Sequence, residues 1–282
     1  MIAPRYHKHF YSSGYSGFLS TEVLDVINQW YQPDNLILDL GCGTGWDTLE
    51  LAENGYRVLA VDPHRPMIEQ LKYKIVNHGV QDKVCGFTVD LESPQPYHRI
   101  RLDMKERQPH WQNFADGIYA GMGVLQTIST LTNLGAWMFK AVQPNGLVTL
   151  VLLNPTSYSI FSRQVKSRRQ LGPWNRRRGE AGLNTNHSRA IKWMGGPADI
   201  AAVWNPWFEL VDVKPAGEGL PPFELLTSST KIEQRVPQRS AVQRVLNRKS
   251  PAQYADWLIV MFKRRPGRSS MQVVEAEEVK SA

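Results

Sequence analysis

The stretch Leu38–Asp62, "LDLGCGTGWDTLELAENGYRVLAVD", decides the fold. It reads as a hydrophobic strand, a cluster of glycines, a helix that stops at Gly55 and a second strand closed by an acid. A strand that turns on glycines into a helix and returns as a strand is a βαβ unit, with its strands parallel. Its glycine turn stands at the carboxyl end of the first strand, where open α/β sheets bind ligands. A dinucleotide fingerprint, G-x-G-x-x-G, would need glycine where this chain has Trp46, because the third glycine lets helix and strand pack closely. Asp39, two residues before the turn, would also repel a pyrophosphate. A ligand with a cationic end fits better. Asp39 biases the site toward an ammonium or sulfonium, and Gly41, Gly43 and Gly45 let the backbone approach without side-chain collision. Asp62 is placed to accept both hydroxyls of a ribose. Asp90, after a third strand, is placed to accept from the exocyclic amine of a purine. A nucleoside with a positive amino-acid tail satisfies all three acids.

The same alternation runs outward from this unit. Upstream, "TEVLDVINQW" spaces Val23, Leu24, Ile27 and Trp30 as a helix behind a Ser20/Thr21 cap. Downstream come the helix "PMIEQLKYKIVNHG", the strands "VCGFTVD" and "ADGIYAG", and the helix and turn "LTNLGAWMFKAVQPNG" leading into the strand "LVTLVLLNP". Two late strands follow, "WFELVDVKPA" and "ADWLIVMFKRR". The pattern predicts a parallel sheet with helices on both faces. The division expected is an N-terminal lid and helix over 1–35, a domain over 36–263 with an inserted cap over about 156–202, and a polar, disordered tail over 264–282.

Length and composition agree with one large soluble domain: of 282 residues, 42% are apolar and 21% charged. No run of uncharged apolar residues is long enough to span a membrane, and the N-terminus lacks a signal-peptide pattern, so the expected location is cytoplasmic. Cys42 and Cys85, the 2 cysteines, form no CxxC pair and predict neither a disulfide framework nor a metal site. The net charge of +7 is local. "RQVKSRRQLGPWNRRR", Arg163 to Arg178, carries 7 cations and no acid, and the rest of the chain balances at 26 of each sign.

At "ILDLGCGTG" the chain resembles the first motif of the class I S-adenosylmethionine-dependent methyltransferases, a likeness extending over roughly Leu36 to Leu153. Asp62 matches the family's acid at the end of the second strand, Asp90 its adenine-side acid, and "MFKAVQPNGLVTLVLLN" its element before the fifth strand. The resemblance implies a Rossmann-like, seven-stranded, mostly parallel sheet with an antiparallel last strand. It implies S-adenosyl-L-methionine as cofactor, S-adenosyl-L-homocysteine as product, and cofactor contacts from Asp39, Gly41, Cys42, Gly43, Gly45, Asp62, Pro63, Asp90, Leu91 and Ala120.

In that family the acceptor pocket is built from the N-terminal segment, the loop after the fourth strand and the insertion after the fifth. Here these are "YHKHFYSSGYSGF", "AGMGVLQTI" and the stretch from Thr156 to Trp204. Tyr11 and Tyr15 are lid candidates able to enclose a cationic or planar acceptor, and His9 and His187 are candidate bases, with Tyr158 beside them in the insertion. His64 follows the ribose acid and faces the cofactor's edge. The position after the fourth strand reads "YAGMG", not the Asn/Asp-Pro-Pro-aromatic tetrad of amino-base DNA methylation, and neither cysteine is placed for cytosine C5 chemistry. The basic stretch, with Trp174 inside it, is a solvated face, a docking surface for RNA or an attractor of acidic partners. The reading favoured is methyl transfer to nitrogen or oxygen of a small-molecule acceptor, with RNA as the alternative.

Overall fold

Strands whose side chains are apolar on both faces need helices on both faces. The computed structural model shows how they are supplied, over residues 15–93, 96, 98–101, 114–154, 195–216, 255 and 257–266, with 15–20 described by backbone alone. In chain order these form α1 (Tyr15–Trp30), β1 (Leu36–Leu40), α2 (Trp46–Glu53), β2 (Arg57–Asp62), α3 (Arg65–His78), β3 (Val84–Thr88) and β4 (Ala115–Ala120). A 3-10 turn (Val124–Thr127), α4 (Leu131–Ala141), β5 (Val142–Leu153), α5 (Pro197–Trp204), β6 (Phe208–Ala216) and β7 (Trp257–Arg264) complete them.

The sheet has 7 strands in the order β3-β2-β1-β4-β5-β7-β6. Pairing is parallel from β3 through β5, and β7 runs antiparallel to both β5 and β6. The seven-stranded, mostly parallel sheet with an antiparallel last strand is therefore the observed architecture. Alternate residues of β1 divide between two cores. Leu36, Leu38 and Leu40 join Leu134 and Met138 of α4 and Ile200 and Trp204 of α5. Ile37 joins Val23 and Ile27 of α1, Leu49 of α2 and Leu71 of α3.

Three elements differ from their sequence reading. Helix α1 continues back through the Ser20/Thr21 cap to Tyr15, because Ser and Thr cost a helix only tenths of a kcal/mol, about 0.5 each, and packing of its apolar face outweighs that. Strand β5 begins at Val142, which pairs with Ala115 before the register shifts. Residues 197–202, at the end of the expected insertion and given no element by the sequence pattern, lie in α5, where Trp204 donates its indole N–H to Leu131 O at 2.8 Å and meets Phe262 edge-on at 5.1 Å between centroids.

The two edges of the sheet are tied differently. At the amino ends, the Asp116 carboxylate of β4 accepts from Leu36 N at 2.6 Å and from Gln143 Nε2 at 2.7 Å, joining three neighbouring strands. At the carboxyl ends, Asn154 Nδ2 donates to Ala255 O at 2.7 Å. Among the described residues no helix is long and apolar enough to cross a membrane.

Candidate functional site

The carboxyl ends of β1 and β2 meet at the glycine turn. Gly41 N and Cys42 N both donate to Val61 O, at 2.7 and 3.0 Å, so the turn is pinned to the end of β2. Gly41, Gly43 and Gly45 all take positive φ, +71°, +55° and +80°, a region that disfavours other residues. Their surroundings distinguish them. A Cβ at Gly41 would lie 2.6 Å from Val124, and one at Gly45 would lie 2.1 Å from Leu71 of α3, whereas one at Gly43 would meet nothing within 4 Å. Gly45 thus serves the close packing that a third fingerprint glycine would serve, one position ahead of Trp46. Gly43 is where the backbone faces open space.

Two acids flank that opening. Asp39, in β1, is 2% exposed and accepts from Thr48 Oγ1 at 2.5 Å. Burial pushes its carboxyl up to about 8, helped by the charges of Asp47 and Asp62 and opposed by the Thr48 hydrogen bond. A cation placed beside it would favour the ionised form again. Asp62, which ends β2, accepts from Gly43 N at 3.2 Å on Oδ2 and from His64 N at 2.8 Å on Oδ1, with His64 Nδ1 also 3.1 Å away. Its orientation is fixed by backbone donors on both sides. Pro63 is half-buried and His64 exposed beside it. Asp90 lies two residues past β3 and is exposed; its Oδ1 caps Glu92 N at 3.0 Å. Leu91, three residues past β3, and Ala120, the last residue of β4, are buried. Desolvation, followed by Asp39 and Asp62, pushes the half-buried Cys42 thiol well up, which keeps it protonated.

These residues fit the cofactor that the resemblance implies. Gly43 leaves a cradle that a Cβ would fill, the buried Asp39 carboxyl suits an ammonium, and Asp62 presents an oriented acceptor for ribose hydroxyls. Of the acceptor-side candidates, Tyr15 is the first residue of α1, described by backbone only, while His9, Tyr11, Tyr158, His187 and the stretch from Arg163 to Arg178 lie outside the described residues.

Two further residues enter that sequence reasoning did not single out. Lys74 of α3 donates to Thr44 Oγ1 in the glycine turn at 3.3 Å and lies 5.9 Å from the centre of the Trp46 ring, and burial lowers its ammonium to about 8. Gln126 is fully buried in the 3-10 turn, where Oε1 accepts from Leu153 N at 2.9 Å and Nε2 donates to Leu153 O at 3.0 Å. Its amide acts as a strand rung between the segment after β4 and the end of β5. No local pattern marks either residue, since both contacts join elements far apart in the chain.

Residues 37–104 match the family model of a methyltransferase domain. A segment of 45 residues is 49% identical to the cypemycin N-terminal methyltransferase of a Streptomyces species, covering 16% of this chain and 18% of that protein. Over 82 residues the chain is 33% identical to the mitochondrial ribosomal RNA small subunit methyltransferase of Arabidopsis thaliana, covering 28% of this chain and 22% of the other. The chain thus spans about a fifth of the length of the curated relatives it matches. Its fold is similar to a TehB-like S-adenosylmethionine-dependent methyltransferase from Corynebacterium glutamicum, with TM-score 0.52, 13% identity, and coverage of 93% of this chain and 98% of that one. The family match falls on the glycine turn and both flanking acids, within a seven-stranded, mostly parallel sheet, so over residues 37–104 the chain is similar to a methyltransferase domain and its fold is that of the solved S-adenosylmethionine-dependent methyltransferases it resembles.

Proposed function

We propose that the protein transfers a methyl group from S-adenosyl-L-methionine, the cofactor the resemblance implies, to a nitrogen or oxygen of a small-molecule acceptor. The observation that carries the reading is the pair of differently held acids around Gly43: a buried Asp39 that suits a cation and an Asp62 oriented by backbone N–H groups. When bound, the cofactor would supply an electrophilic methyl carbon to the acceptor's lone pair, with its sulfur as the leaving group. The chain's own work is alignment and exclusion of water. Asp39 holds the ammonium end, Asp62 the ribose, and Asp90 the purine edge. Tyr11 and Tyr15 close over the acceptor, and His9 or His187 takes the proton an acceptor hydroxyl or ammonium must lose.

The likeness to a cypemycin N-terminal methyltransferase supports a nitrogen acceptor. A second reading, RNA as acceptor, is favoured by the likeness to a ribosomal RNA methyltransferase together with the 7 cations between Arg163 and Arg178. Incubation with methyl-labelled S-adenosylmethionine and an extract of the source cells, separated into RNA, protein and small-molecule fractions, tests both. Label is expected in the small-molecule fraction, and Asp62→Ala is expected to weaken S-adenosylhomocysteine binding by about tenfold or more. Label in RNA that disappears on charge reversal at Arg176, Arg177 and Arg178 would establish the second reading instead.

A further inference from the structure

Asp62 already holds more donors than a grip on two hydroxyls leaves room for. A carboxylate offers about four acceptor positions, two on each oxygen. On Oδ2, one is taken by Gly43 N at 3.2 Å. On Oδ1, both are taken by His64, whose backbone N–H donates at 2.8 Å and whose ring Nδ1 lies 3.1 Å away. Facing an oxygen that can only accept, Nδ1 is the ring nitrogen that bears the proton. One acceptor position is left, on Oδ2, whereas a ribose presents two hydroxyls.

The direction of the ring follows from its place in the chain. His64 is the N-cap of α3, with an extended backbone (φ −94°, ψ 106°), and its side chain makes no capping bond to the helix. Met67 N and Ile68 N donate to His64 O at 2.9 and 3.3 Å, so the first turn closes on the backbone of His64 while its ring turns back to the acid. The His64 side chain is 55% exposed and that of Asp62 is 10% exposed. An exposed contact of this kind contributes little to stability, and the backbone N–H groups of Gly43 and His64 orient the carboxylate without it. What the ring does is occupy an acceptor position.

Resting on the methyltransferase reading above, we infer that His64 is a specificity-determining residue, whose imidazole restricts Asp62 to a single ribose hydroxyl of the cofactor where the acid alone would take both. A hydroxyl that displaced the ring would exchange one bond to Asp62 for another, with no net gain, so the ring keeps its position. The second hydroxyl then adds nothing to recognition through Asp62, and the protein tolerates its loss from the ligand.

The test is calorimetry on the whole protein with S-adenosylhomocysteine and its 2′-deoxy and 3′-deoxy counterparts as probes. For the wild type, one deoxy compound is expected to bind within about twofold of S-adenosylhomocysteine and the other about fivefold more weakly or worse. His64→Ala keeps the backbone donor and removes the ring. It is expected to bind S-adenosylhomocysteine about threefold more tightly or better, and both deoxy compounds about fivefold more weakly than S-adenosylhomocysteine. His64→Asn returns an amide N–H to the place of Nδ1 and is expected to restore the wild-type ranking. Both variants should melt near the wild type, because the ring is more than half exposed. The wild-type ranking decides without any variant: comparable losses for both deoxy compounds would overturn the inference. It would equally be overturned by a folded His64→Ala protein that ranks the three ligands as the wild type does or binds S-adenosylhomocysteine more weakly. Failure of the unaltered protein to bind S-adenosylhomocysteine at all would overturn the methyltransferase reading as well.

Discussion

A carboxyl held up to about 8 by burial keeps its proton through the neutral range, and Asp39 is such a group. Between the ordinary value of 3.8 and about 8 the folded protein binds more protons at this position than the unfolded chain does. The stability contributed by the protonated acid is fully present below the lower value and is lost as the pH rises through the upper one. Urea denaturation at about pH 5 and about pH 8 should therefore show the wild type losing at least about 1 kcal/mol relative to Asp39→Asn as the pH increases. A constant difference would return the carboxyl to its usual range. In the proposed function the same residue is the one that favours a cation, since a positive partner offsets the desolvation that keeps the acid neutral. Asp62 is held differently, by two backbone N–H groups that point at it. Chemistry that sequence treats as one motif is thus divided between an acid awaiting a charge and an acid held in place.

Helix α3 meets the glycine turn and β3 through a contact of fine tolerance. Leu71 is fully buried and wedged between Gly45 and Gly86, where added Cβ atoms would lie 2.1 and 2.9 Å from its methyl groups. Gly45→Ala should cost about 2–4 kcal/mol by combining overpacking with a strained φ, whereas Gly43→Ala, facing open space, should cost about 1–2 kcal/mol and show its main effect as weaker S-adenosylhomocysteine binding. Thermal denaturation and calorimetry on the two variants separate the roles. This division also marks how far the sequence could be read. The strands were legible because runs such as Leu36–Leu40 and Arg57–Asp62 combine apolar side chains with glycines and acids at their ends. The glycine turn and its acids were legible because their spacing is local. What stayed hidden depended on partners distant in the chain: which of three glycines packs and which opens, the Gln126 rung to Leu153, and the Lys74 bond to the turn. The start of α1 was hidden for another reason, since packing overrode a cap signal at Ser20 and Thr21.

Across the whole molecule, the groups proposed to face the ligand lie at the carboxyl edge of the sheet, and the opposite edge is held by the Asp116 carboxylate between Leu36 and Gln143. Asp116→Ala leaves a buried amide N–H without its acceptor and should lower stability by about 1–3 kcal/mol, with S-adenosylhomocysteine affinity unchanged in calorimetry at a temperature where the variant is folded. A concurrent loss of affinity would show that the two edges are coupled through β1 and β4. The position of β7 bears on how the molecule comes into being. In the sheet β6 pairs with β7 alone, and β7 lies between β6 and β5 although it is the last of the seven strands in the chain. On the ribosome, the glycine turn and its acids emerge early, yet one border of β5 waits for a partner until the residues up to Arg264 have been made. The nascent chain therefore passes through a stage in which its amino-terminal half is already made while β6 and one border of β5 still lack their partner strand, and that interval is when chaperones have most to protect.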